Sequence, residues 1–282
     1  RDEFTALPGA SLLPDHTRAF LKIQDGCNAF CSYCIVPHAR GRSRSLAPET
    51  VLRQVALLAE CGRKEIVLTG IHLGCYGQDT HPPTSLTEVL RQIEEKNLIA
   101  RLRLSSIEPL EITNELLLLL SGATILCPHL HIPLQSGDDR ILQRMNRNYR
   151  AAFYRSLVER IMAARPDAAI GVDVMVGFPG EDEQAFAQTY ALIADLPVAY
   201  LHVFPYSKRP GTPACTMSGQ VQDGIKKRRA EQLRSLGQEK RRLFMGRFLG
   251  HKLDVLLEDR IDKETGLYKG FSGNYLPVLV RD

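Results

Sequence analysis

The chain has 282 residues, 44% hydrophobic and 24% charged, a balance that excludes disorder as a description of most of it. Its net charge of +4 is too small to name a partner, so the placement of charge has to carry that question. The densest apolar run, 116–120, is five residues long against the roughly 18 of a spanning helix, and the first fourteen residues hold no continuous apolar region of the signal-peptide kind. No membrane association is therefore expected, and the cytoplasm is the expected compartment.

Residues 1–16 read as a remnant or linker ahead of the first element. Thereafter short β-branched runs at 19–24, 65–69, 101–105, 129–133, 169–176 and 199–204 predict strands. Helical patterns fall between them at 49–61, 86–95, 114–120, 139–145, 151–164 and 181–195. In the first, Val51, Leu52, Val55, Leu58 and Ala59 share one face. Such alternation is the pattern of parallel βαβ units. Six units over residues 20–217 average about 33 residues, close to the roughly 30 of such a unit. The expected fold is α/β: an open, partial (β/α)6 barrel of the TIM type over 17–220. Periodicity alone leaves a flat doubly wound sheet as the alternative.

Residues 221–248 predict a long basic helix, with nine Lys and Arg against two Glu between 225 and 248. Ile225, Leu233, Leu236, Leu243 and Phe244 are available in it for packing. Alternating runs at 251–257, 267–271 and 276–280 then predict the strands of a small, truncated β domain over 249–282.

The strongest signal follows the first strand. Gly26-Cys27-Asn28-Ala29-Phe30-Cys31-Ser32-Tyr33-Cys34 gathers three of the seven cysteines into eight residues as C-x3-C-x2-C. An odd cysteine count without a leader argues against a disulfide framework and for metal binding or catalysis. Thiolates are soft ligands that suit iron–sulfur clusters or zinc. A [4Fe–4S] cube held by three cysteines, not the usual four, keeps one iron open to a non-protein ligand. His38 completes C-x3-C-x2-C-x3-H, so a closed structural zinc site is the alternative. Loops after barrel strands gather at one face and build the site. Those after the later strands contain Gly70-Ile71-His72-Leu73-Gly74, Ser106-Ile107-Glu108-Pro109, Leu134-Gln135-Ser136-Gly137, Gly177-Phe178-Pro179-Gly180 and Pro205-Tyr206-Ser207. Each mixes polar groups with Gly or Pro, as suits close approach by a ligand.

These residues resemble the radical S-adenosylmethionine superfamily, whose hallmark is C-x3-C-x2-C with an aromatic residue, here Tyr33, before the last cysteine. Phe20-Leu21-Lys22-Ile23-Gln24-Asp25-Gly26-Cys27, Cys34-Ile35-Val36-Pro37, Arg40-Gly41-Arg42-Ser43-Arg44, His131-Ile132-Pro133-Leu134-Gln135-Ser136-Gly137, Met145-Asn146-Arg147, Val176-Gly177-Phe178-Pro179-Gly180-Glu181 and Phe204-Pro205-Tyr206-Ser207 resemble its methylthiotransferase branch. Within that branch, Leu68-Thr69-Gly70-Ile71-His72-Leu73-Gly74 and Ser105-Ser106-Ile107-Glu108-Pro109 are similar to the threonylcarbamoyladenosine tRNA methylthiotransferase subfamily. The resemblance covers residues 17–217 and, more loosely, the tail, which is similar to the start of a TRAM domain.

The resemblance implies that Cys27, Cys31 and Cys34 hold a [4Fe–4S] cluster. Its open iron would chelate the amino and carboxylate groups of S-adenosylmethionine, and reductive cleavage would give a 5′-deoxyadenosyl radical. That radical would take hydrogen from C2 of the modified adenosine beside the anticodon, where a methylthio group is installed. Tyr33, Gly70, Gln135, Arg147, Val176 and Gly177 are the implied cofactor contacts. Protein groups bind and orient, and the cofactor carries the difficult chemistry. A second [4Fe–4S] cluster is expected in an amino-terminal domain that the sequence lacks, so the chain is expected to be a catalytic core. The expected partners are a tRNA anticodon loop and an electron donor, and the expected state is a monomer. Lys226, Lys227, Arg228 and Arg229 are the candidate phosphate contacts, with Arg40, Arg42 and Arg44 a second basic cluster. The other readings are a sister enzyme acting on another tRNA adenosine or on a ribosomal-protein aspartate, and a zinc-stapled RNA-binding module without catalysis.

Overall fold

A computed structural model describes residues 17–281, so the expectation for residues 1–16 lies outside the described residues. Strand β1 (Arg18–Lys22) is followed by a short antiparallel pair, β2 (Gln24–Asp25) and β3 (Arg44–Ser45), which brackets helix α1 (Val36–Arg40). There follow α2 (Pro48–Glu60), β4 (Glu65–Thr69), α3 (Leu86–Glu95), β5 (Arg101–Leu104), α4 (Asn114–Gly122) and β6 (His129–His131). Two helices, α5 (Asp139–Arg144) and α6 (Ala151–Ala164), lead to β7 (Ala169–Val176), α7 (Glu183–Asp195), β8 (Tyr200–Pro205) and α8 (Asp223–Gly246). The chain closes with β9 (Val255–Ile261), β10 (Tyr268–Ser272) and β11 (Pro277–Val280).

Strands β1, β4 and β5 form one parallel sheet and β6, β7 and β8 another. Parallel bridges Leu102↔Leu126 and Ser106↔His131 join them between β5 and β6. The six strands thus lie side by side in chain order. A doubly wound sheet reverses its order at a switch point, so the sequential order selects the barrel reading. No ladder returns from β8 to β1 among the described residues, and the arc is open.

Alternation along each strand divides the residues between two faces. Leu21, Ile66, Leu68, Leu102, Leu104, Val172 and Val174 join the helix residues Val51, Val55, Leu90, Leu157 and Leu233 in one core between sheet and helices. The opposite side chains of the same strands line the concave face. Helix starts are set locally: the side chains of Ser85, Thr113, Asp138 and Asp182 each accept a first-turn amide hydrogen bond.

Helix α8 is basic on its outer side but sends Ala230, Leu233 and Leu236 into the main core. Gly237 lies against Leu201 of β8, where an added Cβ would meet the leucine Cβ at 3.2 Å. It therefore packs as the sixth outer helix of the barrel. The small antiparallel sheet β9–β10–β11 docks at the end of the barrel where the strands begin. There Arg103 donates to the Gly273 carbonyl at 2.9 Å, and Arg18 pairs with Glu258 at 2.7 Å.

Candidate metal and cofactor site

The cysteine loop leaves β2 at Gly26, which has φ +74°. A Cβ there would sit 1.9 Å from the Arg42 carbonyl oxygen, so only glycine lets the two sides of the neck approach. Gln24, fully buried, braces the neck. Its Nε2 donates to the Gly26 carbonyl at 2.8 Å and to Ser43 Oγ at 2.9 Å, while its Oε1 accepts from the His72 amide at 2.7 Å. The far side of the loop is held by the segment after α5. Ser32 donates its amide to the Met145 carbonyl at 3.0 Å and its hydroxyl to the Arg144 carbonyl at 2.7 Å. Asn146 Nδ2 donates to the Phe30 carbonyl at 3.0 Å.

Two cations meet the sulfurs. Cys27 Sγ lies 3.4 Å from His72 Nδ1, and Arg147 donates to Cys31 Sγ at 3.4 Å. Burial raises the Cys27 thiol, but hydrogen bonds from His72 and the Ala29 amide more than offset it, and the net shift is downward. Burial pushes Cys34 up. The His72 imidazole is pushed up: burial opposes its charge, but bonds to Cys27, Cys75 and Glu111 outweigh that. Arg147 is buried and forms a two-pronged ion pair with Glu108, one prong at 3.1 Å. Burial lifts the Glu108 carboxyl despite that pairing.

The remaining sequence-selected residues fall into two groups. Tyr33 sets its ring edge-on to Phe178 at 6.3 Å, within the small core of Ile141, Met145, Tyr206 and Ala214. At Gly70 a Cβ would press on Gln24 Oε1 at 2.8 Å, so this glycine preserves the brace. Gln135 takes a left-handed φ of 64° and bridges to Val174 of β7. Among the implied cofactor contacts, Arg147 touches the cysteine loop at Cys31 and Gly70 touches its brace at Gln24. Val176 is a core residue whose carbonyl accepts from the Tyr206 amide at 2.8 Å. The Gly177 amide donates to Glu181 Oε1 at 2.8 Å. Each of those two backbone groups thus has one partner within the protein.

The basic run 226–229 divides between buried and exposed residues. Arg229 is buried in an ion pair with Glu181 at 2.7 Å, and Lys226 lies along Gly177 and bonds Asp223 at 3.1 Å. Arg229 is enclosed by that pairing, whereas Lys226 borders an open cleft with Lys227 and Arg234. Lys227 and Arg228 are exposed, although Arg228 reaches Glu183 at 2.7 Å.

His38, the fourth ligand of the zinc alternative, is exposed on α1 and sets its ring edge-on to Phe30. Ligands about 2.3 Å from one tetrahedral zinc put thiolate sulfurs roughly 3.8 Å apart. Among the described residues, the ligand sets lying within 4.8 Å are His72–Cys75–Glu111 and His131–Asp173–His202, and the three motif cysteines with His38 are not such a set. Three thiols on one clamped loop, with two cations at their sulfurs, fit a cluster larger than a single ion. Sequence reasoning quoted Gln24 within the 20–27 stretch but gave it no role. It also left His72 and Glu108 without roles.

Comparison with known proteins agrees with this arrangement. Residues 21–193 match the Radical SAM superfamily. The chain is 40% identical over 270 residues to the threonylcarbamoyladenosine tRNA methylthiotransferase MtaB of Bacillus subtilis (strain 168), covering 95% of this chain and 60% of that protein. It is 44% identical over 252 residues to the MtaB of Aquifex aeolicus (strain VF5), covering 88% and 60%. It is 35% identical over 280 residues to the tRNA-2-methylthio-N(6)-dimethylallyladenosine synthase of Desulfitobacterium hafniense (strain Y51), covering 94% and 63%. The chain thus spans about 60% of the length of these relatives. Among solved structures, the radical S-adenosylmethionine methyltransferase TsrM of Kitasatospora setae matches with a TM-score of 0.59 at 20% identity, over 70% of this chain and 38% of that one. The coproporphyrinogen III oxidase HemN of Escherichia coli matches with 0.54 at 16%, over 78% and 52%. At these identities the structural likenesses show the fold.

Proposed function

The chain belongs to the Radical SAM superfamily, and from that membership we propose that it carries the cluster and cofactor site of a tRNA methylthiotransferase. The proposed substrate is N6-threonylcarbamoyladenosine at position 37 of tRNA, modified at C2. One observation carries the reading. The three cysteines of one glycine-necked loop lie at the barrel mouth with His72 and Arg147 at their sulfurs, in a chain 40–44% identical to two MtaB proteins.

Cys27, Cys31 and Cys34 would hold a [4Fe–4S] cluster, leaving one iron for S-adenosylmethionine. Reduced and loaded, that group supplies the carbon radical that takes a hydrogen atom from the base. The protein's own part is positional. Gln24 ties the loop neck to the strand after which His72 lies. His72 favours thiolate over thiol at Cys27, and Arg147 donates to the Cys31 sulfur. Glu108 holds the Arg147 guanidinium against the loop. Tyr33, Gly70 and Gln135 line the approach to it. Lys227 and Arg228, with Arg40 and Arg42, are the exposed cations proposed to meet the phosphates of the anticodon arm. The sulfur donor, a second cluster, is proposed to reside in the part of the relatives' length that this chain does not span.

Anaerobic reconstitution tests this reading. It expects about four irons per chain, an iron–sulfur absorption that bleaches on reduction, and formation of 5′-deoxyadenosine from S-adenosylmethionine. With tRNA present it expects cofactor cleavage without methylthiolated product from this chain alone. One tightly held zinc and no cofactor cleavage would overturn it.

A further inference from the structure

Strands β6, β7 and β8 carry a row of side chains that the cysteine site does not use. Alternation sets the row. Leu130, Ile132, Val172 and Val174 face the helices in the main core, with Leu201 and Val203 packed against it. His131, Asp173 and His202 alternate with them and so face the concave channel. The register sets His131 beside Gly171 and Asp173 beside His202, so three neighbouring strands supply one layer. Interior layers of a barrel are ordinarily filled by branched apolar side chains. This one holds two imidazoles and a carboxylate.

Their donor atoms converge. His131 Nε2 lies 2.8 Å and His202 Nδ1 3.3 Å from Asp173 Oδ1, and one donor atom from each residue lies within 4.8 Å of the other two. Ligands about 2.1 Å from one tetrahedral ion stand roughly 3.4 Å apart, so small side-chain rotations admit an ion between them. The backbone behind them is fixed. The Asp173 carbonyl accepts the Leu134 and Gln135 amides at 3.1 and 2.9 Å, and the His131 carbonyl accepts the Ile107 amide at 2.9 Å. Tyr200 walls one side, its ring 6.0 Å from that of His131 and 5.3 Å from that of His202. A Cβ on Gly171 would sit 2.2 Å from Tyr200 Cζ, so glycine is what lets this ring lie across β7. The nearby arginines have carboxylates of their own: Arg101 and Arg103 hold Glu65, and Arg18 holds Glu258. Asp173 is thus left to the two imidazoles. The His202 side chain is half exposed, and those of His131 and Asp173 are largely covered, so the open side of the row faces the channel.

We propose that His131, Asp173 and His202 form a site for one divalent transition ion of the zinc or ferrous class. Two imidazoles favour such ions over magnesium or calcium, which take oxygen ligands. Three protein ligands leave positions for water on the exposed side, within the channel. The site is separate from the cysteine loop and does not depend on the proposed function.

The test uses the cluster-reconstituted protein, so that the motif cysteines are already engaged, dialysed to equilibrium against Zn²⁺ alone. Wild type is expected to hold about one zinc per chain, with a zinc-edge X-ray absorption spectrum showing nitrogen and oxygen neighbours, imidazole among them, and no sulfur. His202→Leu and Asp173→Asn are each expected to weaken zinc binding by at least about 100-fold, more than the loss of an outer-shell partner, with iron content and far-UV circular dichroism at wild-type values. Those two controls separate loss of the site from loss of the fold. Failure of wild type to bind zinc overturns the proposal. So does zinc that persists in both variants, or a zinc shell containing sulfur, since either places the ion at His72–Cys75–Glu111 or on the cysteine loop. Each of these failures leaves the iron–sulfur absorption and cofactor cleavage as they were, and with them the proposed function.

Discussion

At the residue scale, the site is a problem of holding thiolates ready. Three thiols share one loop, yet their surroundings differ. His72 and a backbone amide lower Cys27, while burial raises Cys34 and Cys75. A lowered thiol pKa means more thiolate at a given pH, so alkylation of Cys27 should rise at lower pH than that of Cys34 or Cys75. Mass-spectrometric mapping of iodoacetamide labelling on metal-free protein, stepped through pH, is expected to show Cys27 before Cys34 and Cys75. In His72→Ala its profile should move to higher pH. A profile unchanged by that substitution would remove His72 from this role. The neck makes a second prediction. Gly26→Ala places a Cβ against the Arg42 carbonyl, so iron and sulfide retained after reconstitution should fall severalfold while far-UV circular dichroism stays near wild type. Full iron loading would show that the neck tolerates a side chain.

The motif itself was legible because its spacing is local: three cysteines in eight residues need no knowledge of the fold. Its supports were not. His72 and Gln24 are 48 positions apart, and Glu108 and Arg147 are 39 apart. They meet only because βα units return each strand end to one mouth. Arg147 showed its identity in the sequence, but not that Glu108 was its partner.

At the element scale, helix α8 shows how one charge pattern is divided between two faces. Eight cations in one helix suggest a nucleic-acid surface, and 226–229 is their densest run. Burial divides that run, because the apolar stripe of α8 must face β8. The turn of the helix then carries Lys226 and Arg229 inward with Ala230 and Leu233. Arg229 consequently meets Glu181, and both side chains are almost fully buried. Breaking a buried pair leaves one charge without compensation. Arg229→Met alone is expected to lower stability by about 3–5 kcal/mol, and combining it with Glu181→Gln to recover most of that loss. Urea unfolding of the single and double variants checks the cycle. Equal losses in single and double variants would mean that the pair has no such coupling. The strands were legible by their β-branched runs, and 65–69 and 169–176 coincide with Glu65–Thr69 and Ala169–Val176. Their lateral order was not legible, since nothing local to a strand states its neighbour. That order is what separates an open barrel from a doubly wound sheet.

At the scale of the whole molecule, the barrel has two ends with opposite duties. The strand C-termini hold the loops that act. The strand N-termini are closed by the small sheet, and the contact is electrostatic as well as aromatic. Glu65 is fully buried, with Arg103 and Arg101 each at 2.8 Å and Arg18 at 3.5 Å. Arg18 and Arg103 also lie over the Tyr275 ring, at 5.3 and 4.8 Å. One carboxylate thus binds the first turns of three strands and orients the cations that the sheet covers. Glu65→Gln would leave three guanidiniums crowded in a desolvated layer with Glu258 alone opposing them. The expected loss is again on the order of 3–5 kcal/mol, and the failure should be directional. Because Tyr275, Phe271 and the 272–273 carbonyls receive those arginines, the small sheet should loosen before the barrel does. Limited proteolysis of Glu65→Gln is therefore expected to cut after α8 at a urea concentration where the barrel fragment survives, whereas wild type should lose both together. Simultaneous loss in the variant would show that the floor and the barrel are one cooperative unit, with Glu65 contributing to stability but not to the docking of the sheet.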